Sequence, residues 1–412
     1  MKVLFVAAHP PLPLDNGGRL RTFHLLEELA ARAEVRLVCF DREPGSRDPY
    51  VTAAEIAAAL GGLDRVGVVR APGGKRTAQL MSLLTGSSYT MRIHASGDLQ
   101  AAVRAAELEW EPDLIHIDSL FCAGVRPRAA TAGTWVLSLH NDEALLKERL
   151  AGAAPGWPRR TLYRSEARAL AELQREEIAS FDHCVAVSDA ERERFAAHNP
   201  STVTIPNGVE PLGPPQPRDP LPGGEPLRLL FVGSLNYEPN RAGLEWFARE
   251  VAPLARERLA IDVEVVGPGR RGPELAGVRY LGRVDNLDAA YARADAAVVP
   301  LRVGAGSRLK VLEALARGVP LVSTPLGVEG FDLHDGEQAL IAAEPASLVE
   351  RLVLLDASLR GDGHLAEALR DAGHRFAADY FWPQIGELLG ATYGAWAEEA
   401  PSSSASTSAH SP

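Results

Sequence analysis

The chain has 412 residues and a formal net charge of -11, with 43 lysines and arginines against 54 aspartates and glutamates. No cluster of five or six like charges stands out, which excludes a footprint for gripping nucleic acid or an anionic membrane and leaves any cationic site local. The length exceeds one ordinary domain and suits two of roughly 200 residues, each large enough to bury its own core.

The amino-terminal run from Lys2 to Ala8 is apolar but too short for a signal peptide's core and cleavage region, and nothing approaches the ~20 residues of a membrane span. A soluble, cytoplasmic protein is expected. Cys39, Cys122 and Cys184 lie far apart in apolar, strand-like settings and read as buried reduced thiols, which fits a reducing compartment.

Short β-rich runs alternate with amphipathic stretches: a strand at Val3 to Ala7, a helix near Arg19 to Arg32, then strands at Val35 to Phe40, Leu114 to Ile117, Trp135 to Leu139 and Cys184 to Val187. Residues 211–226 are rich in proline and glycine, can hold neither helix nor strand, and read as a linker. A second series follows, with strands at Leu227 to Gly233, Asp262 to Val266, Val278 to Leu281, Ala296 to Val299 and Leu321 to Ser323, and a helix around Ala242 to Ala255. The rhythm implies βαβ units and parallel sheets covered by helices. The expected organisation is therefore α/β, with two Rossmann-like doubly wound domains, 1–210 and 227–372, facing each other across a cleft. An aromatic helical segment, 373–398, is expected to cross back to the first domain, and a serine-rich tail, 399–412, to be disordered.

Gly304-Ala305-Gly306-Ser307-Arg308-Leu309-Lys310 follows an apolar run and opens a helix. Small residues leave backbone N–H groups accessible, and the helix start adds a positive dipole end, so this is a seat for an anion such as phosphate, with Arg308 and Lys310 as cations. Glu313, three residues on, is placed to accept hydrogen bonds from a ribose diol; the plain alternative is a pair with Lys310. Gly17 and Gly18 occupy the turn between the first strand and helix, where glycine lets a ligand approach the backbone. The pattern is not Gly-x-Gly-x-x-Gly, which argues against a dinucleotide fold. His140 should emerge at the carboxyl end of a strand, where such sheets place their ligands. Ser188-Asp189 reads first as a helix cap. Asp-x-Asp, His-Glu-x-x-His, Cys-x-x-Cys, Gly-x-Ser-x-Gly and Walker patterns are absent, so no metal is expected, and a serine hydrolase or P-loop nucleotidase is disfavoured.

In this order the segments resemble the family-4 retaining glycosyltransferases of the GT-B fold, over nearly the whole chain up to the aromatic helix. The carriers are Gly17-Gly18, His140, Val187-Ser188, Ile205-Pro206-Asn207-Gly208-Val209-Glu210, Phe231-Val232-Gly233-Ser234-Leu235, Leu281-Gly282-Arg283-Val284, the loop with Lys310 and Glu313, and Gly318-Val319-Pro320-Leu321-Val322-Ser323-Thr324. The resemblance implies a nucleotide-diphosphate sugar, most often a UDP-sugar, in the carboxyl domain and an acceptor in the amino domain, with no cofactor. It implies that Glu313 contacts the donor ribose, that the backbone at Arg283 and Val284 reads the base, that Gly17 and Gly18 lie near the donor phosphate, and that His140 lies close to the transferred sugar. Gly233, Ser234, Gly304, Ala305, Gly306 and Ser307 complete the donor set, with Lys310 and Arg308 meeting the phosphate charge.

The chain departs from that family in places. The first of its usual two glutamates falls at Ala305, and the Arg and Lys after the first strand of the carboxyl domain fall at Ser234 and at Pro239 or Asn240. The expected reaction is metal-independent transfer of a sugar to an acceptor hydroxyl with retention, by front-face attack. A nucleotide-sugar epimerase and a catalytically silent nucleotide-sugar-binding partner are the alternatives. Acceptor recognition is expected in the loops Ala71 to Met91 and Leu150 to Tyr163.

Overall fold

A computed structural model describes residues 1–41, 48–70, 88–127, 133–269, 277–306 and 308–399. Ser307, most of the expected acceptor loop at 71–91 and nearly all of the serine-rich tail lie outside the described residues. The chain divides into two units: the first takes in Met1–Lys147, Thr161–Ile205 and the residues from Gly386 on, the second Glu148–Arg160 and Pro206–Ile385.

The first unit contains β1 (Lys2–Ala7), α1 (Gly17–Ala30), β2 (Glu34–Asp41), α2 (Pro49–Leu60), β3 (Leu63–Arg70), α3 (Tyr89–His94), α4 (Gly97–Trp110), β4 (Leu114–Asp118) and β5 (Thr134–Ser138). They are followed by α5 (Glu143–Ala153) and α6 (Trp157–Ser180), of which residues 148–153 and 157–160 are counted with the second unit, and then by β6 (His183–Ala186), α7 (Asp189–Ala196) and β7 (Thr202–Thr204). The strands form one parallel sheet in the order β3-β2-β1-β4-β5-β6-β7. From Val3 to Val6 β1 is wholly buried, because a parallel sheet covered on both faces needs a continuous apolar run. Each large apolar side chain so enclosed contributes about 1.5–3 kcal/mol.

The second unit repeats the plan with β8 (Leu227–Val232), α8 (Glu238–Trp246), α9 (Ala252–Arg256), β9 (Ile261–Val266), β10 (Val278–Gly282), α10 (Leu287–Arg293), β11 (Ala296–Val299), α11 (Leu309–Ala316), β12 (Leu321–Ser323), β13 (Leu340–Ile341), α12 (Pro345–Arg360) and α13 (His364–Ala378). Its sheet order is β10-β9-β8-β11-β12-β13, and every neighbouring pair is parallel. The helix expected around Ala242 to Ala255 begins earlier, with Pro239 in its first turn, and α8 runs into α9 through a π-helical turn at Phe247–Val251. Residues 211–226 carry neither helix nor strand.

The last helix, α14 (Trp382–Glu399), is packed closely through glycines. A Cβ on Gly386 would overlap the Glu28 carboxylate of α1, and one on Gly390 would stand 2.8 Å from the Arg32 side chain. At its far end Trp396 stacks on His183 at 4.2 Å.

Both sheets reverse their winding beside the first strand of the unit, between β1 and β4 and between β8 and β11. The crevice at the carboxyl ends of strands at such a switch point is where doubly wound sheets bind ligands. In the first unit the loops at that point are those after β1 and β4; in the second, taken by itself, they are those after β8 and β11.

Candidate active site

In the first unit the residues at the switch point form a closed polar chain. Asn16 caps α1 by accepting from the Arg19 amide at 3.1 Å, which sets Gly17 and Gly18 in the first helical turn. Gly18 faces His140: a Cβ built on it would lie 3.7 Å from Nδ1 of that ring. His140 stands two residues past β5, where Leu139 still donates to the Val185 carbonyl at 2.8 Å. The next turn is fixed by Asp142, which caps α5 through the Leu145 amide at 3.0 Å and whose own amide is held by Glu191 at 3.0 Å.

Asp118, the final residue of β4, is the centre of this chain and is 1% exposed. Its Oδ1 lies 2.7 Å from His140 Nε2 and 3.4 Å from His116 Nε2, while Oδ2 accepts from the Thr22 hydroxyl at 2.5 Å. Burial opposes ionisation of this carboxyl, yet the His140 charge and the hydrogen bonds from His116 and His140 hold it well below the usual carboxylate range. An ionised carboxylate only accepts, so both imidazoles donate through Nε2–H, and Nδ1 of a neutral His140 is left as an acceptor on the side of Gly18. His116 is kept neutral chiefly by burial. Its Nδ1 takes the hydroxyl of Tyr393, on α14, at 2.5 Å, and its ring stacks on Phe5 at 4.1 Å. Arg21, fully enclosed, has its pKa pulled to about 10 by desolvation and donates to the Ile205 carbonyl at 2.8 Å.

In the second unit the backbone after β8 is crossed closely by that after β9. A Cβ on Gly267 would overlap the Gly233 carbonyl, and one on Gly233 would stand 2.6 Å from the Asn240 amide nitrogen and 2.8 Å from Lys310 Nζ. Only glycine permits this approach. Asn240 bridges the site, donating to the Ser234 carbonyl at 2.9 Å and accepting from Lys310 Nζ at 2.5 Å. Lys310 lies over the Phe231 ring at 4.7 Å. Burial, with Arg308 nearby, lowers its pKa to about 7. Near neutrality the ammonium is poised between charged and neutral, and an anion beside it would favour the charged form.

Glu313, a turn further along α11, does not pair with Lys310. Its carboxylate takes the Tyr291 hydroxyl at 3.3 Å, and burial raises its pKa against the pull of Arg317. The Tyr291 hydroxyl is held protonated by burial and by that carboxylate. Val284 is half-buried and Arg283 exposed, just past Gly282, whose carbonyl accepts from the Gly267 amide at 2.8 Å. Gly304 has φ +152° and Gly306 φ +75°, backbone that side chains disfavour, and Ala305 between them is buried. Arg308 caps α11 with its backbone alone, while its guanidinium turns to the Leu326 carbonyl at 3.4 Å and the Glu329 carboxylate at 3.6 Å.

The structure thus joins Gly18 to His140, Lys310 to Gly233 and Ser234, and Arg308 to Gly304. Sequence reasoning missed Asp118, Thr22, His116 and Tyr291. Asp118 carried the same signal as His140, a polar residue ending an apolar run. All three cysteines are buried and free. Among the described residues no helix is long and apolar enough to cross a membrane.

Comparison with known proteins adds to this geometry. Residues 16–208 match the model described as glycosyl transferase 4-like domain, and residues 226–356 match glycosyl transferases group 1. A glycogen synthase of Mycobacterium tuberculosis is 25% identical, covering 95% of this chain and 94% of its own. Among solved structures, sucrose-phosphate synthase of Thermosynechococcus elongatus superposes with a TM-score of 0.68 at 18% identity, covering 96% of this chain and 98% of its own. HepE of Anabaena in complex with UDP-glucose gives 0.62 at 15%, covering 96% and 100%. With two family models spanning most of its length and a sheet order that repeats in both units, the chain belongs to the family-4-type glycosyltransferases and has the GT-B fold.

Proposed function

We propose that this glycosyltransferase moves a sugar from a nucleotide-diphosphate donor, a UDP-sugar, to an acceptor hydroxyl with retention of anomeric configuration and without a divalent metal. The observation that carries this reading is the Lys310–Asn240–Gly233 arrangement, a half-desolvated cation against glycine backbone at a switch point. The leaving diphosphate develops negative charge as the glycosidic bond breaks, and preorganised cations and helix-start amides stabilise that charge most where water is scarce. Lys310 leads, with Arg308 beside it. Glu313 takes the ribose hydroxyls, and the backbone of Arg283 and Val284 reads the base. The UDP-glucose carried by HepE supports a uridine donor.

In the first unit His140, oriented by Asp118, serves the transferred sugar and the incoming acceptor. Asp118, the carboxylate beside His140, is enclosed and has both oxygens engaged, which leaves it unsuited to a covalent intermediate. Front-face attack follows, with the leaving phosphate helping to take the acceptor's proton. The reaction belongs in the cytoplasm, where nucleotide sugars are the donor pool.

The test is incubation with a panel of nucleotide sugars and candidate acceptors, following nucleoside diphosphate release and the anomeric configuration of the product by NMR. An α-linked product from an α-linked donor, formed in the presence of EDTA, is expected. An inverted product, or activity abolished by the chelator, contradicts the reading.

A further inference from the structure

The Gly304 carbonyl, ahead of α11, is held by a pair of side chains with no place in the donor set. Arg149, on α5, donates through Nη1 to the Gly304 carbonyl at 2.6 Å and to Glu329 Oε2 at 2.5 Å, and through Nη2 to Glu329 Oε1 at 2.7 Å. Glu329 follows the turn Pro325–Gly327, and its Oε2 also lies 3.6 Å from Arg308 Nη2. A two-pronged guanidinium–carboxylate pair fixes direction as well as distance, which a lysine cannot reproduce. Arg149 and Glu329 belong to the same unit as the loop they hold.

The carbonyl they capture matters. In a trans peptide the C=O and the following N–H point to opposite sides, so tying the Gly304 carbonyl to Arg149 turns the Ala305 N–H the other way. A carbonyl rotated toward a phosphate would repel it, whereas an amide would bind it. Gly304 sits at φ +152°, a conformation with little intrinsic preference over its alternatives, so the orientation needs an external hold. A Cβ there would come within 3.0 Å of Arg308 Nη2, which shows how closely the loop is wrapped. Arg149 is neutralised by Glu329 and is therefore a poor candidate for the phosphate cation itself.

We propose that Arg149 and Glu329 are positioning residues for the donor diphosphate: they hold the Gly304 carbonyl away from the phosphate and thereby present the Ala305 amide and the start of α11 to it. This rests on the reading of that loop as the nucleotide-sugar seat. Misplacing binding groups by an ångström is enough to cost a large factor in rate or affinity.

The test uses the full chain and the variants Arg149→Met, Arg149→Lys and Glu329→Gln, with calorimetric titration of UDP, GDP and ADP, melting without ligand, and donor KM and kcat. Arg149→Met is expected to melt within about 2 °C of the parent, yet to bind UDP about tenfold more weakly and to raise donor KM more than it lowers kcat. Glu329→Gln keeps the bond to Gly304 and should lose about threefold, with Arg149→Lys between the two. UDP affinity within about twofold of the parent in both Arg149→Met and Glu329→Gln overturns the proposal. If Arg149→Met does not fold, the milder Glu329→Gln decides. A parent protein that binds none of the three nucleotides overturns the donor-seat reading itself, and is distinguishable because it needs no variant.

Discussion

Asp118 holds His140 by a 2.7 Å contact to Nε2, and the partner that does so is almost completely buried at the end of the neighbouring strand. The carboxylate fixes Nε2–H as the donor, so in its neutral form His140 presents a lone pair on the side of Gly18. Asp118→Asn keeps the shape but removes the charge, and its amide can favour the other tautomer. Turnover should fall roughly 10²-fold, with donor affinity changed by less than about threefold. His140→Gln should lose a similar factor, and the double variant no more than the worse single one. Additive losses in the double variant mean the two residues act separately.

Lys310 makes donor binding depend on pH. In the free protein its pKa is drawn down to about 7, and a bound diphosphate raises it, so binding takes up a proton above neutrality. UDP affinity is therefore strongest near and below pH 7 and weakens by up to tenfold per unit above it. Calorimetry in two buffers of different ionisation enthalpy measures the proton directly, and Lys310→Met should flatten the profile as well as weaken binding. The stability of the empty protein runs the other way. The folded pKa lies below the usual lysine value of 10.5, so the cost of burying the charge is fully present below pH 7 and is relieved as pH rises from about 7 toward 10.5.

Two glycines should respond oppositely to a methyl group. At Gly18 a Cβ meets only Asn16 Oδ1 at 3.4 Å and His140 Nδ1 at 3.7 Å, which is ordinary contact. Gly18→Ala should fold as well as the parent or better, by roughly 0.4–1 kcal/mol, while losing activity because the methyl occupies the approach to His140. At Gly233 the Cβ collides with Asn240 and Lys310, so Gly233→Ala should cost about 1–3 kcal/mol and abolish detectable donor binding. Melting curves and UDP titration on the two variants check the pair. Full activity in Gly18→Ala removes that residue from the site.

Tyr393 separates structure from chemistry. Its hydroxyl satisfies His116 Nδ1 at 2.5 Å inside the core, and Tyr393→Phe leaves that nitrogen unpaired at a cost of about 1–3 kcal/mol. Because Tyr393 reaches Asp118 only through His116, whose 3.4 Å contact to Oδ1 is much longer than the 2.7 Å contact of His140, kcat should change by less than about threefold at temperatures where the variant is folded. Chemical denaturation gives the first number and steady-state kinetics the second. A loss of kcat as large as that of Asp118→Asn places Tyr393 in the chemistry.

Most of the fold was legible because parallel strands buried on both faces are short apolar runs. β1, β8 and β11 stood out for that reason. β3 did not: Leu63–Arg70 is an edge strand with two arginines, an aspartate and a glycine, and it is largely half-exposed. β7 and β13, three and two residues long, are too short to carry a period. In the site, strand ends revealed His140 and helix-start chemistry revealed Lys310. The alternative Lys310–Glu313 pairing does not form: Lys310 takes Asn240 and Glu313 takes Tyr291, since tertiary partners on other elements outcompeted a neighbour one helical turn away. Arg149 had no local signal at all, its partners being 155 and 180 residues downstream.

The reach of Tyr393 to His116 also bears on biosynthesis. The first unit draws part of its polar interior from a helix made last, after the whole second unit. A ribosome-bound chain lacking that helix holds a seven-stranded sheet whose His116 keeps Asp118 at Nε2 but lacks the Tyr393 hydroxyl at Nδ1, so the first unit reaches its full stability only after the second unit has been synthesised. Protease resistance of the first unit should therefore rise late in translation, and a truncation ending at residue 385 should leave the second unit's donor seat intact while destabilising the first unit.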